Sequence, residues 1–337
     1  MMRLGCVGLG YWGPNILRTF WTLKGCEVKW ACDRDEARLK KVAGAYPEIS
    51  PTPHYGDLLQ DEGVDAVAIV TPATQHFPMV KAALEAGKHV FVEKPLATKR
   101  NEAQELIGLA RAKSRVLMVG HLLLYHPAVK RLKDLIQVGE LGQIYYIYST
   151  RVNLGQVRRE ENALVSFAPH DISVILYLLD ARPVEVSAIG EGYLQREVED
   201  VVFLTLRFPD GALAHCHVSW LDPHKIRKFT VVGSKKMAVF DDMESSEKIR
   251  IYDKGVDHHF DFSSFADFLS LRFGDIQIPR IEMREPLLLE CQHFLECIEG
   301  GKRPLSDGEN GLAVLEVIEA AERSLKEKGR PTPIDWK

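Results

Sequence analysis

In CVGLGYWGPN the glycines Gly8, Gly10 and Gly13 stand directly behind a short apolar run. Glycine-rich turns between a strand and a helix also arise for steric reasons alone, so the surrounding pattern decides what this spacing means. As far as residue 120 the chain alternates RLGCVGLG, EVKWACD, DAVAIVTP, KHVFVEKP and RVLMVGH with NILRTFWTLKG, DEARLKKVAGAY, HFPMVKAALEAG and TKRNEAQELIGLARAK. In the second set apolar residues recur every three or four positions, the helical period. Short β-branched runs separated by such stretches are how parallel βαβ units read, and five strands with crossover helices predict an open, doubly wound α/β sheet of Rossmann type.

In that setting the glycines acquire distinct tasks. Gly8 permits the tight turn, Gly10 lets a diphosphate approach the backbone, and Gly13 allows the helix to pack closely on the strand. Pro14 suits the first helical turn, where its missing N–H has no partner to lose. The free N–H groups of that turn, with Tyr11 and Trp12 in the same loop, face a dinucleotide diphosphate. An acidic residue about twenty positions further on should accept from the adenosine ribose, and Asp33 holds that place. A carboxylate there repels a 2′-phosphate, so the expected cofactor is NAD rather than NADP. Arg34 next to it can stack on adenine or, less readily, hold a phosphate.

Near residue 121 the pattern changes. A helix from about His126 to Val138 leads to the strand GQIYYIYSTRVN and the helix HDISVILYLL. Two hairpins follow: VVFLTLRFPDGALAHCHVSW turns at Pro209-Asp210-Gly211, and KFTVVGSKKMAVFDD turns at Gly233-Ser234. The final helices are EPLLLECQHFLECIEG and GENGLAVLEVIEAAERSLKEKG. Two domains are expected: 1–121, the dinucleotide-binding domain, and 122–337, an α+β domain on a large, mainly antiparallel open sheet. The last helix, about 309–327, is a candidate to pack back on the first domain.

Charge and cysteine usage exclude several classes. With 43 basic against 47 acidic side chains and a net charge of -4, the chain lacks the basic surplus that nucleic acid requires. No run of about 18 apolar residues and no secretion signal is present, so a cytoplasmic protein without a membrane span is expected. Cys6, Cys26, Cys32, Cys216, Cys291 and Cys297 lie scattered without a Cys-x-x-Cys pair, which argues against a disulfide framework or a zinc site. His215 and His217 share a strand face but have no third ligand at a useful spacing, so no metal is expected.

The stretch VTPATQHFPMVKAALEAGKHVFVEKPLATK carries more than a fold. Thr71-Pro72 with His76, Ala86-Gly87-Lys88-His89-Val90, Glu93-Lys94-Pro95 and the closing Pro304-Leu305-Ser306-Asp307-Gly308 resemble the Gfo/Idh/MocA oxidoreductase family. The resemblance implies an NAD-dependent sugar or polyol dehydrogenase, with Thr71, Pro72, His76, Glu93 and Lys94 at the cofactor. It also implies that Lys94 is catalytic or substrate-orienting and that the Lys94-Pro95 bond is cis. Position agrees, because Lys94 ends the fifth strand, at the edge where such sheets bind ligands. Partly desolvated beside a cationic nicotinamide, its pKa should fall from about 10.4.

Relatives usually carry an Asp four residues before a His in the second domain. In SFAPHDISVILYLL the His is His170, and Ser166 stands where the Asp normally does. His170 remains the candidate general base, since an imidazole with a pKa near 6.5 can accept a hydroxyl proton as hydride leaves the same carbon. Upstream, Arg151, Asn153, Arg158 and Asn162 offer donors for a diphosphate or ring hydroxyls. This segment resembles the nucleotide-sugar 3-dehydrogenases of the family, which implies oxidation of the C3 hydroxyl of a UDP-N-acetylhexosamine such as UDP-N-acetylglucosamine. A UDP-uronic sugar, an inositol-like polyol, or a catalytically silent NAD-binding regulator stay open as alternatives. An antiparallel sheet bearing Val218 and Trp220 calls for a cover, and a homodimer or homotetramer through that sheet is expected.

Overall fold

A computed structural model describes residues 1–155, 161–258 and 269–336. The chain begins β1 (Met2–Val7), α1 (Gly13–Thr22), β2 (Cys26–Cys32), α2 (Glu36–Ala45), β3 (Ser50–Thr52), α3 (Tyr55–Gln60) and β4 (Ala66–Ile69). It continues α4 (His76–Glu85), β5 (His89–Glu93), α5 (Arg100–Ala112) and β6 (Leu117–Gly120). These strands form one parallel sheet in the order β3-β2-β1-β4-β5-β6. β4 and β6 are buried at every position, because helices cover both faces of the sheet.

The sheet has six strands rather than the five expected. The addition, β3, is three residues long, contains Pro51, and pairs only with β2 at the edge, where a missing N–H costs little.

Beyond β6 come α6 (Pro127–Gln137), β7 (Ile144–Val152), α7 (Ala163–Leu179), β8 (Glu185–Glu191), β9 (Val201–Arg207) and β10 (Leu213–Ser219). Then follow β11 (Ile226–Gly233), β12 (Met237–Asp241), β13 (Ile249–His258), β14 (Leu269–Gln277), α8 (Pro286–Gly300), α9 (Gly308–Lys326) and β15 (Thr332–Pro333). The second sheet runs β14-β13-β12-β11-β7-β10-β9-β8-β15. Both expected hairpins, β9/β10 and β11/β12, are present, and β7 with β10 is a parallel pair among antiparallel neighbours.

The chain divides into two compact units that do not follow a single cut at 121/122. The first comprises Met1–Tyr125 with Arg284–Leu315, the second His126–Met283 with Glu316–Lys337. Residues 284–315 join the first unit because Phe294 of α8 packs edge-on against Phe20 of α1 and Phe91 of β5, at 6.1 and 5.9 Å between ring centres. Three buried aromatics meeting this way add about 0.5–1.5 kcal/mol per pair beyond their area. Ser306 then extends the edge of β6: its carbonyl accepts from Val119 N–H at 2.7 Å and its hydroxyl donates to Val119 O at 2.7 Å.

In the second unit α7 lies on β7, β9 and β10. Ile147, Leu204, Ala214, Cys216 and Val218 are buried on the strands beneath it, and Trp220 just past β10. Val218 and Trp220 therefore belong to this chain's own core, where Trp220 Nε1–H donates to Asp200 Oδ1 at 2.6 Å. The bare face of the sheet is built instead from Tyr146, Tyr148, Ile189, Phe203, His215 and His217, which the strand register brings to one side. Phe203 stacks on His217 there, with ring centres 4.4 Å apart.

Candidate active site

The turn from β1 to α1 shows why its glycines are needed. Gly8 has φ +90°, and a Cβ there would lie 2.6 Å from Val70 O; a Cβ on Gly13 would lie 1.9 Å from Gly8 O. Over Gly10 the space is open, with only Arg38 Nη1 at 3.8 Å, which leaves room for a diphosphate against the backbone. The loop thus fits a dinucleotide at each of the three positions. Asp33, at the end of β2, has its Oδ2 accepting from Leu9 N–H at 2.6 Å and its Oδ1 from Asp35 N–H at 2.9 Å. Arg38 Nη1 reaches the same carboxylate at 3.3 Å. Sequence reasoning missed Arg38, which stands between Gly10 and Asp33; its only signal was its place in the first turn of the helix after the ribose-binding acid. Tyr11 and Arg34 are exposed at the rim. Trp12 caps α1 and sends its indole N–H to Glu93 Oε1 at 2.8 Å.

The carboxyl ends of β4, β5 and β6 bring the next group together. His76 is buried, with Nδ1 2.6 Å from Pro95 O and Nε2 2.8 Å from Thr71 O. Burial lowers its pKa, and a neutral imidazole has one N–H, so His76 donates to one of these two carbonyls while lying between Thr71 and the Lys94-Pro95 turn. The Lys94-Pro95 peptide is cis. Pro72 lies exposed just beyond Thr71. His121, directly after β6, is buried, and burial followed by the Lys94 charge lowers its pKa to about 3, so it is neutral. No pattern around His121 distinguished it from a strand-end residue.

Burial pushes the Glu93 carboxyl up to about 7, against the pull of Lys94 and Trp12. In α8, Glu290 is fully buried, its carboxyl oxygens have no hydrogen-bond partner among the described residues, and burial and then the Glu93 charge raise it well above the ordinary range. The folded protein therefore holds a proton on Glu93 that an unfolded chain releases near 4.5. The sign follows: this contribution to stability is complete below about pH 4.5 and is lost as pH rises through about 7. Denaturant unfolding at pH 5 and pH 7.5 should show a fall on the order of 2 kcal/mol across that window. Glu93→Gln should flatten the fall, leaving the part due to Glu290; an unchanged slope in the variant contradicts the assignment.

In the second unit, His170 sits in the middle of α7 rather than at its start, because Asn162 caps the helix and Pro169 is accommodated within it. Ser166 is buried one helical turn before His170. Arg151 and Asn162 both have partners within the fold. Arg151 is buried, and its Nε donates to Asp171 Oδ2 at 2.5 Å. Asn162 accepts from Val165 N–H at 3.0 Å and donates to Glu199 at 2.7 Å, the work of a helix cap. Asn153 lies just past β7, half-buried, with its backbone N–H on Ser219 O at 3.1 Å. Arg158 lies outside the described residues.

Comparison with known proteins bears on both units. The profile of the Gfo/Idh/MocA oxidoreductase family with an NAD-binding Rossmann fold matches residues 2–121, and that of the GFO/IDH/MocA C-terminal domain matches residues 129–239. The chain belongs to the Gfo/Idh/MocA oxidoreductase family. As a Gfo/Idh/MocA protein it is an NAD-dependent oxidoreductase whose first unit carries the cofactor. It is 26% identical over 320 residues to UDP-N-acetylglucosamine 3-dehydrogenase of Acidithiobacillus ferrooxidans, covering 93% of this chain and 94% of that one. To scyllo-inositol 2-dehydrogenase (NAD(+)) of Bacillus subtilis it is 29% identical over 350 residues, covering 99% and 96%. The solved structure of the Acidithiobacillus enzyme superposes with a TM-score of 0.81 at 25% identity, covering 97% of this chain and 98% of that one. No helix among the described residues is long and apolar enough to cross a membrane.

Proposed function

We propose that the protein oxidises the C3 hydroxyl of a UDP-N-acetylhexosamine, UDP-N-acetylglucosamine first among them, to the ketone. The observation that carries this reading is the end-to-end match to the Acidithiobacillus enzyme, in sequence and in structure. Bound NAD supplies the acceptor for the C3 hydride. Lys94, which follows β5 beside the His76 contact to Pro95 O, orients the hydroxyl. His170 takes its proton as the C3–H bond breaks. Ser166 stands where relatives usually place a carboxylate, and Asp171 is committed to Arg151. Asn153 and Arg158 are the residues retained for the sugar and diphosphate, since Arg151 and Asn162 are engaged within the fold.

The length of the match to scyllo-inositol 2-dehydrogenase favours a second reading, a free cyclic polyol as substrate. Initial rates with NAD and UDP-N-acetylglucosamine, against scyllo- and myo-inositol at equal concentration, separate the two. The aromatic face of the second sheet, with Tyr146, Tyr148 and Phe203 exposed, is proposed as the contact with another copy of the chain.

A further inference from the structure

At the amino ends of β5 and β6, the edge opposite Glu93 and Lys94, the first unit holds a cavity of about 670 Å3. Its walls are His89 at the start of β5, the end of α5, the residues leading into β6, and the turn between α8 and α9. Four cationic side chains line it, Arg111, Arg115, Lys302 and Arg303, against the carboxylates of Asp307 and Glu309. Both carboxylates are taken, Glu309 by Arg111 and Asp307 by Arg303. Among the described residues, no ion pair engages Arg115 or Lys302.

His89 supplies a second, independent observation. Its Nδ1 accepts from Val116 N–H at 2.9 Å, and burial followed by the Arg115 charge lowers its pKa to about 4. A neutral imidazole that accepts at Nδ1 carries its single proton on Nε2. That Nε2–H lies 3.5 Å from Arg115 Nη1, which can only donate. Two donors thus face each other with no acceptor between them, an arrangement that an oxygen with several lone pairs would resolve.

We infer that this cavity binds a phosphate oxyanion, as the free ion or as the monoester of a small molecule, held by His89, Arg115 and Lys302. Guanidinium and ammonium donors to a phosphate are charge-assisted and correspondingly strong. The N-terminal end of α9, which begins at Gly308 in the cavity wall, adds a favourable field, although Asp307 already caps Asn310 N–H at 2.9 Å. Glu62, Asp65 and Glu299 line the cleft that adjoins on the other side of His89 and Arg115. Lys88 and Arg115 line the same cleft, so its charge is mixed. The site is at the opposite edge of the sheet from the glycine turn, and the inference does not depend on which alcohol the enzyme oxidises.

The test uses full-length protein kept saturated with NAD, so that the glycine turn is occupied, and titrates inorganic phosphate by calorimetry at constant ionic strength. Saturable binding is expected, with Arg115→Gln and Lys302→Gln each weakening it about tenfold. Thermal unfolding without phosphate checks that Arg115→Gln is folded, and Lys302 is an exposed residue whose replacement leaves the core intact. Ring 15N spectra should show His89 protonated at Nε2, with that resonance shifting as phosphate is added. Glycerol 3-phosphate run beside phosphate identifies the source: tighter binding points to a monoester, equal binding to the free ion. Phosphate binding that both variants leave unchanged, or the absence of saturable binding together with an unmoved His89 resonance, overturns the inference.

Discussion

Replacing Lys94 with alanine is expected to lower kcat/KM by about a hundredfold or more while NAD affinity changes only a few-fold, and His170→Ala should do the same. Each side chain has a defined support. Lys94 follows β5, and the His76 contact to Pro95 O at 2.6 Å anchors the cis turn on its far side. His170 is carried by a seventeen-residue helix whose Asn162 cap and buried apolar positions fix it to the second sheet. Neither residue belongs to the glycine turn or to the Asp33 contacts, which is why cofactor affinity should survive both changes. If the two act on one hydroxyl, the double variant should be little worse than either single one. Full activity in both single variants would remove them from the mechanism.

Arg151→Ala is expected to destabilise the protein by about 3–5 kcal/mol, because it strands a carboxyl inside the second unit. Burial already pushes the Asp171 carboxyl up from its ordinary value, and the Arg151 guanidinium at 2.5 Å is the principal group opposing that shift. Without it Asp171 takes up a proton on folding, and the variant's stability should fall further as pH rises, the direction set by a raised carboxyl pKa. Arg151→Met with Asp171→Leu, which fills the space without charge, should recover most of the loss. Urea unfolding of the three proteins checks this. A loss below about 1 kcal/mol in Arg151→Ala, combined with a large rise in KM, would return Arg151 to the role of a ligand donor.

The contrast between these two arginine and lysine predictions shows what could be read from the sequence. Strands such as AVAI and HVFVE are apolar runs buried on both faces, and the glycine turn has a spacing dictated by contacts within a few residues, so both were legible. β3 was not, since three residues around Pro51 at a sheet edge carry no periodicity. The apolar pattern HDISVILYLL shows only the later part of α7, whose start at Ala163 is set by the Asn162 cap. Arg151 looked like a ligand donor because its partner, Asp171, lies on a different element twenty residues away, and pairing across elements leaves no local trace. His121 and Glu290 leave no local trace for the same reason. Their meaning comes from what the fold sets beside them, as it does for Phe294, which gathers residues 284–315 into the first unit.

The proposed reaction removes hydride and proton from C3 of a UDP-N-acetylhexosamine, with NAD as the acceptor. Incubation with NAD and UDP-N-acetylglucosamine, followed by NADH absorbance and mass spectrometry of the sugar nucleotide, tests it most directly. NADH formation should be matched mole for mole by a product two hydrogens lighter, with the label retained in NADH when C3 carries deuterium. NADH formed with scyllo- or myo-inositol but not with the UDP-sugar, or deuterium left on the sugar, would contradict it.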